Sequence, residues 1–313
     1  MTRRAGLALL CSTLWAAQAA HGAHAADKPA VHEFAFIGNV FANGGGEPQL
    51  EQAIARTGEA AVAFVVATGI KGEREACSDT LYEQRRDVFE QAKRPMIVVP
   101  GASDWSGCKN SAGRSAAIER LNRLRELLYA EQHSMGRRTL PLVRLSASSK
   151  FRSYGENVHW VVGNVLYATV NLPANNNHFR PEAGRNSEFE DRAVANRFWL
   201  NRVFSLAKRM QLGAVVLFSE GDVKALNQQS GFMAMLGRGD SKQDGFAPAR
   251  RQITGLAEKF DGKVLLVDAG PLAAGAEPAI TWRANLGHLS VGAGAIQVRV
   301  KPDTDTMFTL EKP

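Results

Sequence analysis

The chain is poor in cysteine and has no block of basic residues. Three cysteines among 313 residues are too few for a disulfide scaffold, and a composition of 45% hydrophobic and 22% charged residues is that of a folded globular protein. The net charge is +7, yet the densest basic groups are only pairs, such as Arg85–Arg86 and Arg137–Arg138. Composition therefore predicts neither a nucleic-acid partner nor attachment to a membrane surface.

No apolar run long enough for a membrane span follows the first 25 residues, and those residues have the pattern of a secretory signal peptide. Arg3 and Arg4 precede an apolar stretch over 5–20, and Ala-His-Ala at 23–25 is a small-x-small cleavage site. We predict cleavage after Ala25 and a periplasmic or secreted protein, with a net charge near +5 because two arginines leave. An uncleaved anchor helix is disfavoured because the stretch is shorter than the roughly 20 residues that span a bilayer.

Export would leave two cysteines, Cys77 and Cys108, in a compartment that favours oxidation. A single disulfide between them is the leading prediction, and two buried free thiols are the alternative. Neither cysteine belongs to a CxxC pair or lies near paired histidines, so their spacing does not predict a metal site.

Short apolar runs alternate with amphipathic segments, which predicts one α/β domain over 26–313. The expected architecture is a layered α/β sandwich whose central sheet is mostly parallel, with antiparallel additions near the end. Predicted strands cover 32–37, 61–67, 96–99, 214–218, 264–267, 296–300 and 307–310, with a hairpin over 160–171. Predicted helices cover 49–56, 82–93, 115–129 and 188–211.

The residues that follow the predicted strands carry a resemblance to a known family. Ligands of such sheets bind outside the carboxyl ends of the strands. The segments are FIGN at 36–39, VVATGIK at 65–71, CSDTLY at 77–82, PGASDWSGC at 100–108, YGENVHW at 154–160 and NNN at 175–177. In this order they resemble an exported bacterial branch of the calcineurin-like metallophosphoesterase superfamily. The resemblance implies a metallophosphoesterase-type sandwich, and it pairs Cys77 with Cys108.

The metal-ligand positions implied by the resemblance are degenerate. Two-metal hydrolysis needs hard or borderline ligands that hold two cations roughly 3.5 to 4 Å apart. Here Asn39 replaces the first Asp, Gly69 is followed by Ile70 rather than by the bridging Asp, and of the third motif only Asp104 remains. The histidine steps expected after the last core strands are missing as well, with Ser219-Glu220 and Asp268-Ala269 in their place. We therefore predict no catalytic residue, no metal and no other cofactor.

Three functions remain open from the sequence. The favoured one is a non-catalytic protein that binds a ligand or a protein through a residual pocket of Asn39, Asp104, Asn176 and His178; these residues are otherwise ordinary turn formers. The second is an active phosphoesterase whose altered metal site recruits other acids, namely Asp104, Glu220, Asp222 and Asp268. An unrelated α/β enzyme is the third, and the absence of GxSxG, Rossmann and P-loop patterns disfavours it.

Overall fold

A computed structural model of the chain describes residues 30–59, 61–180, 186–227, 244–302 and 304–311. The predicted signal peptide, 1–25, lies outside the described residues. Within these ranges the fold is mixed α/β, with twelve strands and six α-helices. None of the described helices is long and apolar enough to cross a bilayer.

The strands are distributed along the whole described chain. They are β1 (His32–Ile37), β2 (Phe64–Thr68), β3 (Met96–Val99), β4 (Val143–Arg144), β5 (Val158–Val162), β6 (Val165–Thr169), β7 (Ala214–Ser219), β8 (Lys263–Asp268), β9 (Thr281–Arg283), β10 (Leu286–Ser290), β11 (Ala295–Val300) and β12 (Phe308–Glu311). The α-helices are α1 (Glu47–Glu59), α2 (Asp79–Glu90), α3 (Ala102–Trp105), α4 (Ala117–Leu128), α5 (Ser187–Arg209) and α6 (Ala247–Ala257).

The described strands form two mixed sheets, which corrects the expectation of one central sheet. The first has the order β12-β11-β1-β2-β3 and the second β4-β5-β6-β7-β8-β10-β9. Parallel pairs join β1-β2-β3, which reach one edge of the first sheet, and β6-β7-β8-β10 in the middle of the second. The remaining pairs are antiparallel. A continuous apolar run indicates burial on both faces, but it does not reveal which strand lies alongside.

The two sheets pack face to face and helices cover their outer faces. Alternate residues of each strand point to opposite faces, so Phe34 and Phe36 of β1 join Tyr167 and Phe218 of the second sheet in the central core. On the outer face of the first sheet, Ala35 and its neighbours pack against α1, α2 and α4. Helices α5 and α6 cover the second sheet in the same way. The result is four layers, helix–sheet–sheet–helix.

Most predicted elements are confirmed within a few residues, and the errors are local. The hairpin is β5–β6, which pair antiparallel across a turn at 163–164. Helix α4 buries Leu121, Leu124 and Leu128, whereas Ile118 is 54% exposed although it is apolar and belongs to the same helix. At 100° per residue Ile118 lies about a quarter turn from that line. The short strands β4, β9 and β10 and helix α6 were not predicted.

The predicted disulfide is confirmed. Cys77 and Cys108 are bonded, with Cα atoms 5.9 Å apart. The bond ties the segment before α2 to the segment after α3, and both segments follow strands of the first sheet. It thereby fixes two of the loops that lie at the carboxyl ends of the strands.

Candidate functional site

The carboxyl ends of the parallel strands from both sheets meet at one edge of the sandwich. Glu220, which follows β7 in the second sheet, accepts a hydrogen bond from the backbone N–H of Ala102, which follows β3 in the first, at 2.7 Å. The same carboxylate oxygen accepts the backbone N–H of Ala174, after β6, also at 2.7 Å. One buried side chain therefore joins three strand-end loops.

Asp104 joins the loops of the first sheet. Its Oδ1 accepts the backbone N–H groups of Ile70 at 2.9 Å and Lys71 at 3.2 Å, and its Oδ2 accepts that of Gly101 at 2.6 Å. The side chain has no exposed surface. Hydrogen bonds from backbone N–H groups to a carboxylate are about twice as strong as hydrogen bonds between neutral groups. Asp104 therefore links the loop after β2 to the loop after β3.

Burial makes these two acids weak. We call Asp104 and Glu220 the buried acid pair. Burial raises the pKa of Asp104 to about 6, although the three backbone N–H groups and Lys71 oppose it. Burial, with the nearby charge of Asp104, raises the pKa of Glu220 to about 7 against its two backbone donors. Ionising both acids is therefore unfavourable, because two like charges would share a site that excludes water.

Lys71 completes the connection between the two loops. Its Nζ is buried and donates to the carbonyl oxygens of Gly72 at 2.7 Å and Ser103 at 2.8 Å. The Ser103 hydroxyl donates to the Lys71 carbonyl in return, at 2.8 Å. Burial lowers the pKa of the ammonium group, while Asp104 raises it. The lysine of the GIK segment thus stabilises the loops from inside.

The first two strand ends offer little to a cation. Asn39 carries a buried Oδ1 that has no hydrogen-bond partner in the described part of the chain. Gly69 adopts a positive φ of 74°, and a Cβ placed there would lie 3.7 Å from Asp104 Oδ1 and 4.0 Å from Asn39 Oδ1. Ile70, which follows it, is fully buried and apolar. The structure thus brings Asn39 and Asp104 together, but it places no carboxylate between them.

The two-metal centre of the metallophosphoesterases does not fit these residues. A bridging ligand is missing at Ile70, Asn39 is neutral, and backbone donors already engage both oxygens of Asp104 and one oxygen of Glu220. Two divalent cations held side by side need available donor atoms that include carboxylates to offset their charge. The oxygens of Asp104 and Oε2 of Glu220 serve the backbone of the loops.

The asparagine-rich loop after β6 forms a left-handed turn. Asn176, Asn177 and His178 have φ values of 56°, 54° and 52°, a conformation that asparagine and histidine tolerate better than most residues. Buried Arg192 of α5 donates to the side-chain and main-chain oxygens of Asn177. Asn176 Oδ1 accepts the backbone N–H of Gly245 at 2.9 Å. Tertiary hydrogen bonds therefore hold this loop in one conformation.

The four residues of the predicted pocket do not share one surface. His178 packs its ring against Trp105, with centroids 4.6 Å apart, and burial lowers its pKa. Asn176 lines an open cleft of about 640 Å³. Asn39 and Asp104 lie together beside Gly69, and Asp104 is fully buried. The pocket hypothesis stays a prediction, with Asn176 as its one member on the cleft wall.

A second group of polar side chains lies after β7, at the end of β8 and on β10, in the second sheet. Asp222, Asp268 and His288 each direct one donor atom inward, and these atoms all lie within 4.8 Å of one another. We call them the Asp–His cluster. His288 Nε2 is 2.7 Å from Asp268 Oδ2 and 3.4 Å from Asp222 Oδ1. Burial lowers the pKa of His288, but the hydrogen bond and charge of Asp268 outweigh it, and the net pKa is raised.

The sequence points to Asp222 and Asp268 as candidate ligands but not to His288 and Ser290. Both missed residues lie on β10, which pairs in parallel with β8 and sets Ser290 opposite Asp268. Ser290 donates to Asp268 Oδ1 at 2.7 Å. Residues two apart on a strand face the same side. Had this strand been recognised, His288 and Ser290 would have been predicted to share one of its faces.

The YGENVHW segment serves packing rather than the cleft. Buried Glu156 accepts from Arg125 of α4 at 2.6 Å and from Asn171 Nδ2 at 2.9 Å. Asn157 donates to Asn196 of α5 at 2.8 Å. These bonds attach two helices to the start of β5, which accounts for the polar residues of the segment.

Comparison with known proteins adds no identification. No model of a protein family matches the chain, and no curated protein matches it.

Proposed function

We propose that this protein is an exported, calcineurin-like metallophosphoesterase relative that no longer hydrolyses phosphoesters with two metals and instead binds a ligand or a protein at its strand ends. The order of motifs in the sequence supports the relationship. The four-layer arrangement, with the strand ends of both sheets meeting at one edge, agrees with it.

The observation that carries the proposal is the hydrogen bonding of the buried acid pair. Asp104 accepts three backbone N–H groups and Glu220 accepts two, and neither side chain is more than 2% exposed. A carboxylate in that state cannot turn towards a cation without leaving buried N–H groups unpaired, at a cost of about 1–3 kcal/mol for each. These acids therefore hold the loops together in place of a metal.

The cleft beside the Asn-rich loop is the favoured binding surface. Its volume of about 640 Å³ is in the usual range of roughly 300–1,000 Å³ for small-molecule sites. Its walls include Asn176, Asp222, Lys224, Asp244 and Arg250. Groups of both charges together with an amide suit a polar ligand rather than an apolar one.

Export is part of the proposal because the disulfide and the leader sequence agree. Structural disulfides persist in oxidising compartments and are rare in the cytosol. The bond between Cys77 and Cys108 closes a separation of 31 residues, which is long enough to matter for stability. Periplasm and extracellular space are equally compatible with it.

A phosphoesterase assay tests the loss of two-metal hydrolysis. We expect the purified protein, supplied with Mn²⁺, Fe²⁺ or Zn²⁺, to release no more product from aryl phosphate mono- and diesters than a protein-free blank. The comparison variants are Asp104→Ala, which removes the buried acid, and Asp87→Ala, which removes an exposed acid of α2. Metal-dependent turnover that Asp104→Ala abolishes and Asp87→Ala retains, both folded by circular dichroism, would contradict the proposal.

An active phosphoesterase with an altered metal site is the second candidate. The Asp–His cluster favours it, because two carboxylates and an imidazole converge beside the cleft. The sequence suggested a site built from Asp104, Glu220, Asp222 and Asp268. Only Asp222 and Asp268 belong to the cluster, so the structure does not support one site made of all four acids. Turnover that survives in Asp104→Ala but is lost in His288→Gln would favour this candidate.

A further inference from the structure

We propose that Asp222, Asp268 and His288 bind a single divalent transition-metal ion, with Zn²⁺ as the best-suited ion. The inference deepens the proposed function, on which it rests, by placing a metal in the wall of the binding cleft. Asn39, Gly69 and Asp104 are not members of the cluster, and His288 comes from a strand that none of the motif positions includes.

The donor atoms lie close enough together to approach one ion, all within 4.8 Å of one another. Zinc bonds to imidazole nitrogen and carboxylate oxygen at about 2.0–2.2 Å, which in a tetrahedron sets neighbouring donor atoms about 3.3 Å apart. His288 Nε2 lies 3.4 Å from Asp222 Oδ1 and 2.7 Å from Asp268 Oδ2. A small outward shift of one carboxylate would open the shorter distance.

Asp268 is oriented by bonds that leave its Oδ2 facing the histidine. Asp268 is 2% exposed, and its Oδ1 accepts from the Gly270 N–H at 2.9 Å and the Ser290 hydroxyl at 2.7 Å. Asp222 Oδ1, the oxygen that lies nearest to His288, also accepts the Lys224 N–H at 2.6 Å. Outer partners of this kind fix the direction of metal ligands and sustain affinity. Asp268 Oδ2 is thus aimed at His288 before any ion arrives.

The cluster has an open side. Asp222 and Gly270 also line the cleft, so an ion held by three protein atoms would present its remaining position to the cleft. Zinc sites that bind exchangeable ligands have this composition, three protein donors and one open position. An anionic oxygen of the polar ligand would complete the coordination.

Titration with Zn²⁺ tests the site. We expect the purified protein to bind one equivalent, measured by calorimetry and by competition with a chromophoric chelator, and to unfold at a higher temperature with the metal. His288→Gln and Asp222→Asn each remove one ligand without emptying a buried position, and each should weaken binding at least about tenfold. His133→Gln is the matched control, because His133 is an exposed histidine half accessible to solvent.

The outcomes separate this inference from the proposed function. Absence of saturable Zn²⁺ binding, or equal affinity in the wild type and His288→Gln, overturns the metal site and leaves the non-hydrolytic proposal standing. Two equivalents that persist in His288→Gln and support phosphoester hydrolysis would overturn the proposed function. One equivalent lost in His288→Gln but kept in His133→Gln supports the site.

Discussion

Glu220 illustrates how an acid at a strand end can stabilise a fold rather than act on a substrate. A single oxygen accepts two N–H groups from loops of different sheets, and the surrounding protein excludes water. Burial consequently raises the pKa of the Glu220 carboxyl to about 7, so it is partly ionised at neutral pH. A structural role of this kind has a signature in the pH dependence of stability.

Glu220→Gln should stabilise the protein at alkaline pH. The amide oxygen can accept both N–H groups, while the ionisation is removed. In the wild type the pKa of Glu220 rises from the ordinary 4.5 to about 7 on folding, so its contribution is complete below pH 4.5 and is lost as pH rises through about 7. The variant should therefore gain on the order of 2–3 kcal/mol relative to wild type between pH 4 and pH 8, measured by urea unfolding.

Glu51→Gln provides the control for that measurement. Glu51 is exposed on α1, and its replacement should leave the difference from wild type constant across the same pH range. A Glu220→Gln curve that runs parallel to the wild-type curve would show that Glu220 is ionised as freely in the folded state as in the unfolded chain, contrary to our account.

The sequence predicts single residues at the strand ends well but not their partners. Asn39, Asp104 and Asp268 were all placed at strand ends because a glycine or a polar residue follows each apolar run. That Asp104 accepts the N–H groups of Ile70 and Lys71 could not be foreseen, because these bonds join residues that are more than 30 apart in the chain. His288 was missed because its strand is short and interrupted by Gly287.

At the scale of elements, the loops after β2 and β3 form one unit. Lys71, Asp104 and the disulfide each link them, and α3 is a single turn between these links. The Tyr82 hydroxyl of α2 donates to the Asp104 carbonyl at 2.5 Å, which attaches the unit to a long helix. Several independent connections therefore keep these loops from separating.

Removal of the disulfide should destabilise the protein by roughly 3–4 kcal/mol, because the cross-link restricts the unfolded chain over a separation of 31 residues. The test is urea unfolding of the double variant Cys77→Ser/Cys108→Ser beside the wild type. Reducing agent should lower the stability of the wild type to a similar degree and leave the double variant unchanged. A loss below about 1 kcal/mol would mean that the other connections already hold the two loops.

Elements with a strong periodic pattern were predicted, and those without one were not. Strand β3 was predicted with its observed bounds, and α5 to within two residues at either end, because an apolar run or a long apolar stripe defines them. Strand β9 has two exposed residues among its three, so no hydrophobic pattern could reveal it. The apolar residues Val194 and Phe198 of α5 are nevertheless 55% and 40% exposed.

At the scale of the whole molecule, two sheets instead of one determine where a site can form. Each sheet brings its parallel strand ends to the same edge, and Glu220 connects the two sets of loops. Local patterns predict strands but not their order, because strand order depends on pairings such as β1 with β11, which are far apart in sequence. The position of the cleft is therefore a property of the tertiary structure alone.

Anomalous diffraction from crystals grown with Zn²⁺ tests the central claim most directly. Phosphoesterases of the family that the sequence resembles hold two metals at their strand ends. We propose that the buried acid pair occupies that position in this protein. We predict no anomalous peak beside Asn39 and Asp104, and a single peak among Asp222, Asp268 and His288. Two peaks about 3.5 to 4 Å apart beside Asn39 and Asp104 would contradict the account.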